Sequence, residues 1–209
     1  MKLIAALFLA IAAAAQQVPK SACDFDGFDV NSQLAEVKVT TTAYYGCGTG
    51  KCLPMTLKLD DPVVVNRAEG SWTCGYLIAP DGSAQGWIHS SQLRGLTIDP
   101  NPPSEAWIGT WIQDENHITI RNSHGKLAID GEAYWFGPYH NGHIGEISGE
   151  VEVAGNHLHY EDGICKVDLA LLAKYLLAND NNMCGGANVR FWGVWRRSPP
   201  TGLRHRKRS

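Results

Sequence analysis

The sequence predicts an all-β chain, a small barrel followed by an antiparallel meander that closes into an up-and-down barrel. Three observations predict it. Short runs with period-two apolar alternation recur along the chain. Gly, Pro, Asn and Asp punctuate nearly every gap between them. One dense breaker cluster, Asp99-Pro100-Asn101-Pro102-Pro103-Ser104, divides the strands into two groups, because prolines this close together fit neither a helix interior nor a central strand.

The 209-residue chain opens on Met1-Lys2 and an uncharged run from Leu3 to Ala15. A basic residue, an apolar core and small residues at Ala12 to Ala15 form the pattern of a secretory signal peptide over residues 1–15, with cleavage before Gln16. The run is shorter than the ~20 residues that span a bilayer, so no transmembrane segment is expected after cleavage. Export makes the compartment periplasmic or extracellular, where an even number of cysteines reads as a disulfide framework. Cys165 and Cys184 are the two cysteines after the breaker cluster and flank one apolar hairpin, so they are expected to pair. Cys23, Cys47, Cys52 and Cys74 precede it and leave three connectivities open.

The expected units follow from these marks: a leader and first barrel over 16–98, a linker over 99–105, a second barrel over 106–197 and a basic tail over 198–209. In the first unit Ala35, Val37 and Val39 alternate with Glu36, Lys38 and Thr40, Pro62 opens a valine run, and Trp72, Cys74, Tyr76 and Ile78 alternate before the turn Pro80-Asp81-Gly82. Gly86-Trp87-Ile88-His89 begins another short strand. In the second unit about eight strands run from Trp107 to a closing strand at Asn188–Arg196, and closure removes exposed edges. Val167–Ala178 is Leu/Ala-rich and has helix propensity. Cys165, Val167, Leu169 and Leu171 nevertheless share a strand face, which favours two strands turning at Ala173-Lys174.

The strings Asp61-Pro62-Val63-Val64-Val65, Gly70-Ser71-Trp72-Thr73-Cys74, Gly86-Trp87-Ile88 and Leu93 resemble the bacterial SH3 family over about residues 40–95. The resemblance implies an SH3-like barrel, and exported members of that family often bind cell-wall peptides. The second unit, with Trp107-Ile108-Gly109-Thr110-Trp111 at one end and Cys184-Gly185-Gly186-Ala187-Asn188-Val189-Arg190-Phe191 at the other, resembles a domain that follows an SH3-like module in exported bacterial proteins. That likeness implies no activity. Gly109-Thr110-Trp111 is also similar to the opening of lipocalin and avidin barrels.

Residues 16–195 hold all 21 acidic residues but only 11 basic ones, a net −10, whereas Arg196, Arg197, Arg204, Arg206, Lys207 and Arg208 make the end +6. Such an end reads as a solvated tail or a counter-charge to the acidic body, and no specific nucleic-acid partner is expected. His157 and His159 share a strand face near His140 and His143, but no cysteine or carboxylate spacing completes a metal site. Asp24, Asp26 and Asp29 lack the glycine and glutamate positions of a calcium loop. There is no nucleophile elbow and no phosphate-cradling glycine loop. No metal, no cofactor and no catalytic residue is therefore expected.

The candidate ligand-binding residues are the aromatics of the first unit, Tyr44, Tyr45, Trp72, Tyr76 and Trp87, since flat apolar faces bind peptides at low entropy cost. Trp72 and Trp87 either line such a groove or fill the small core, because strand direction alone does not fix facing. The expected function is an exported, non-catalytic binding protein of the bacterial cell envelope, its partner a cell-wall peptide or an envelope protein. Two alternatives are a small-molecule carrier, which needs a second barrel not plugged by Trp111, Trp135, Phe191 and Trp192, and an inhibitor or enzyme acting on envelope polymers, with Asn179–Gly186 as the presenting loop.

Overall fold

The computed structural model describes residues 17–24, 32–48, 51–78, 84–137 and 141–199. The expected signal peptide, Asp26, Asp29, the turn at Pro80–Gly82, His140 and the last ten residues of the basic tail lie outside them. The described chain is all-β and antiparallel, with two short 3-10 turns and no helix long and apolar enough to cross a membrane.

The first sheet contains β1 (Gln33–Val37), β2 (Thr41–Tyr45), β3 (Leu53–Leu57), β4 (Pro62–Glu69), β5 (Trp72–Leu77), β6 (Ala84–His89) and β7 (Leu93–Gly95), in the order β3-β2-β6-β5-β4-β1-β7. Its strands alternate between two buried faces. Val37, Ala43, Leu57, Val63, Leu77 and Ile88 form one core, and Leu34, Val64, Trp72, Cys74, Tyr76 and Trp87 point to the other. The first face is tight at Gly75, where an added Cβ would lie 2.4 Å from Val63 Cγ1, so only glycine fits. Between Val65 and Arg67 the β4–β5 register slips by one residue. That bulge inserts Asn66 and turns Arg67 onto the second face, opposite Cys74.

The second sheet contains β8 (Gly109–Gln113), β9 (Asn116–Ser123), β10 (Lys126–Phe136), β11 (Gly142–Glu150), β12 (Glu152–Ala154), β13 (His157–Asp162), β14 (Cys165–Leu172), β15 (Tyr175–Asp180) and β16 (Gly193–Arg197). Sequential neighbours pair, and β16 returns to β8 with Arg197 opposite Trp111. Its two ends are β11 and β12, which are joined through Val151 alone. One bent strand thus pairs with β10 on its first half and β13 on its second, and the barrel is nearly closed. The remaining seam is bridged by Tyr160, whose hydroxyl meets both the Ser148 N–H and the Ser148 carbonyl.

Aromatic side chains fill the barrel. Trp107, Trp111, Phe191 and Trp195 are fully buried in one cluster with Ile118, Ile129 and Leu169, and Trp135 packs against it. Trp192 is not part of this plug. It faces the opposite way, edge-on to Tyr76 of the first sheet at 6.5 Å.

Val167–Ala178 folds as strands, paired through Leu172 opposite Tyr175 with Ala173 in the left-handed region at φ 55°. Both of its faces are buried, which explains the helix-like apolar run. Val167, Leu169, Leu171, Leu176 and Ala178 line the barrel. Ala170, Leu172, Tyr175 and Leu177 join the second face of the first sheet in a shared core. The segment before the expected linker takes part as well, since Leu96 and Ile98 pack against that core.

The closing strand is shorter than expected, beginning at Gly193 rather than Asn188. Residues 181–192 instead form a loop across one end of the barrel and insert Val189 and Phe191. Asp180, buried at the loop's start, accepts the Phe191 N–H at 2.9 Å. The loop lies so close to β11 that a Cβ on Gly185 would stand 2.6 Å from the Gly145 Cα. At the other end Arg197 lies over the Trp111 ring at 4.4 Å and donates to the Ala106 carbonyl at 2.6 Å, so this basic residue belongs to the barrel and not to the tail.

Candidate functional site, an aromatic face under an N-terminal strap

The cross-strand register places Pro54, Tyr44, Trp87, Cys74 and Arg67 in one row across β3, β2, β6, β5 and β4. Trp72 and His89 form the neighbouring pair. Residues 17–24 run across this row as a strap. The Cys52 sulfur contacts the Pro19 carbonyl at 3.9 Å, the Trp87 indole donates to the Ser21 carbonyl at 2.9 Å, and Arg67 donates to the Ala22 carbonyl. Ser21 Oγ also donates to Glu69 at 2.7 Å. The disulfide Cys23–Cys74 anchors the strap, and Cys47–Cys52 closes the β2–β3 hairpin. The third bridge, Cys165–Cys184, ties β14 to the loop over the second barrel.

The five candidate aromatics therefore divide into three environments. Trp87 has no exposed surface, because the strap lies over it and the Arg67 guanidinium stands 5.1 Å from its ring. Of the two readings open for it, Trp87 therefore stands in the core beneath the strap. Tyr76 is likewise buried, against Trp192 at the junction of the sheets. Trp72 is 8% exposed and lies in a file of edge-on rings, 5.7 Å from half-buried Tyr44 and 5.4 Å from half-buried His89. Tyr45, the next residue along β2, is 36% exposed beside Leu53 at 40%. What reaches the surface on this face is thus a rim of Tyr44 and His89 with Trp72 behind it, while Tyr45 points to the opposite side of β2 with Leu53. A hydroxyl borders the rim, since Ser91 Oγ lies 2.8 Å from His89 Nδ1. Neither the strap, Arg67 nor His89 was identifiable as part of this face before the pairing was known, although Cys23 marked a segment tied to something distant.

The histidines of the second barrel do not converge. Among the described residues no group of three His, Cys, Asp or Glu side chains is placed to hold a metal ion. His143 tilts against Trp135 at 5.5 Å. His157 lines a cleft of about 480 Å³ between the sheets, together with Ser32, Asn156 and Leu172. His159 hydrogen-bonds Asp168 at 2.7 Å and lies 3.4 Å from Glu161.

The hydrogen bond to Asp168, helped by Glu161 against the cost of partial burial, raises the His159 pKa above its ordinary value. A raised imidazole pKa stabilises the fold fully below the unfolded value of about 6.5, and that contribution is lost as the pH rises through the folded value. The effect on stability is small, because the side chain is 37% exposed. In an NMR titration His159 is expected to have a midpoint above ~6.5, and Asp168→Asn is expected to lower it. An unchanged midpoint in the variant would show that Asp168 does not hold the proton.

Compared with family models, with curated proteins and with solved structures, the chain matches none of them.

Proposed function

We propose that this protein is an exported, non-catalytic binding protein of the bacterial cell envelope, and that its SH3-like first barrel recognises a cell-wall peptide through the rim of Tyr44 and His89 and the exposed Tyr45 that follows on β2. The observation that carries the reading is the rim itself: the half-buried rings of Tyr44 and His89 beside the Ser91 hydroxyl, held in place by Trp72 and by the strap that covers Trp87. Rigid aromatic edges with adjacent hydrogen-bonding groups suit extended peptides. Export is supported by the cysteines, all six of which are paired, as an oxidising compartment favours.

The alternatives find less support. A carrier needs interior space, and Trp107, Trp111, Phe191 and Trp195 occupy it. The carboxylate that an inhibitory loop would present, Asp180, is buried and bonded to the Phe191 N–H, and the loop is held against β11. Co-sedimentation with purified cell wall tests the proposal. The wild type is expected to pellet with the wall, and Tyr44→Ala/Tyr45→Ala, folded but with a lower melting point from the lost Tyr44–Trp72 packing, to bind at least about tenfold more weakly, a loss of ~1.4 kcal/mol. Equal retention of both proteins, or retention of neither, contradicts it.

A further inference from the structure

The outer face of the β10–β11 hairpin carries a second candidate surface, on the other barrel from the rim. Outward positions alternate along both strands, and the register sets Tyr134 opposite Ile144, Glu132 opposite Glu146 and Asp130 opposite Ser148. Near the tip, Tyr134 and Phe136 lie with nearly parallel rings, 6.1 Å between centroids and 4° between planes. Phe136 is 70% exposed and Ile144 55%. Large apolar groups so exposed on neighbouring strands form a patch, which marks interaction sites more often than scattered single residues do.

The charges beside the patch are arranged unevenly. Two acidic residues farther down the same face each have a cation, Asp130 with Arg121 at 2.6 Å and Glu150 with Lys126 at 2.7 Å. Glu132 and Glu146 have none among the described residues, although they stand directly opposite one another. Like charges in that relation destabilise a sheet. Glu132 only accepts the Tyr134 hydroxyl, and Glu146 is exposed without a partner. The hydrogen bond to Glu132, loss of hydration and the charges of Glu132 and Glu146 together raise the Tyr134 phenol pKa, so the negative potential extends to the rings. Ring faces attract cations in their own right. A cation placed here would relieve the carboxylate repulsion and meet the aromatic pair at once, and an apolar neighbour would cover Phe136 and Ile144.

We propose that this hairpin face docks a basic segment of a partner protein, one that sets a Lys or Arg between Glu132 and Glu146 and an aliphatic side chain on Phe136 and Ile144. Charge complementarity selects this occupant over a second copy's folded body, which is itself net acidic over residues 16–195. The probe is a fluorescein-labelled, amidated peptide of alternating Leu and Lys, followed by anisotropy with the full chain at about 0.15 M salt. Glu146→Gln is the main variant because Glu146 makes no hydrogen bond or ion pair that its loss would break; without ligand it is expected to melt at or above the wild-type temperature. Binding is expected to weaken at least about tenfold in Glu146→Gln and in Phe136→Ser, and to stay unchanged in Glu36→Gln on the first barrel. Equal weakening by Glu36→Gln would mean that only net charge is sensed, and no weakening by either hairpin variant would mean that the face is not the site. Tighter binding after neutralising Arg204, Arg206, Lys207 and Arg208 would make the chain's own tail the occupant. Each of these three results overturns the proposal.

Discussion

Phe191→Ala is expected to lower the unfolding free energy by about 3–5 kcal/mol, the range for truncating a fully buried phenylalanine. The ring has no exposed surface and lies in the plug with Trp111 and Trp195. Gly131 on β10 runs against it, with room for a Cβ only 3.2 Å from Phe191 Cε1. Its backbone is fixed by the bond to Asp180, so the loop has little freedom to collapse into the hole. The cost therefore includes a cavity as well as lost transfer energy. Phe191→Leu keeps most of the volume and is expected to cost less than about 1.5 kcal/mol. Urea unfolding of the two variants measures the difference. A hollow barrel would give a small loss for both, so a loss below ~1 kcal/mol in Phe191→Ala would contradict a filled interior.

Removing the strap's anchor with Cys23→Ser/Cys74→Ser is expected to cost about 4 kcal/mol on the loop-entropy account, the largest effect of the three bridges because it spans 51 residues. The bridges spanning 19 and 5 residues are expected to contribute about 3 and about 2 kcal/mol. Guanidinium unfolding of the three double variants checks the order. The strap variant has a second signature. Trp87 loses its cover and its bond to Ser21, so its emission should shift to the red and acrylamide should quench it more strongly. A folded variant with unshifted emission would mean that Arg67 and Glu69 hold the strap without the disulfide.

Alternation made most of the strands legible. In β5 the sequence Trp72-Thr73-Cys74-Gly75-Tyr76-Leu77 already separates two faces, and the structure gives each a core. What alternation could not say is which face meets what. Trp87 and Ile88 are adjacent and equally apolar, yet Ile88 enters the inner core while Trp87 lies under the strap. The strap itself has no period to read, being an extended segment fixed by contacts with residues 33 to 66 positions away. The same limit applied to the first four cysteines, whose pairing depends on that crossing. Val167–Ala178 looked ambiguous for a different physical reason: two buried faces erase the polar half of the pattern. Phe191 and Trp192 are adjacent candidates for filling the barrel, but an irregular loop turns them to opposite sides and only Phe191 enters it. Of the rim, Tyr44 and Trp72 are visible as aromatics in the sequence, whereas His89 joins them only through the pairing of β5 with β6.

The most direct test of the proposed surface binding by a protein whose second barrel is filled is an NMR titration with soluble cell-wall peptide fragments. Amide and ring signals of Tyr44, Tyr45 and His89 and the Trp72 indole are predicted to shift, while the indoles of Trp107, Trp111 and Trp195 inside the second barrel stay fixed. Shifts confined to the buried indoles, with the rim unmoved, would contradict the account.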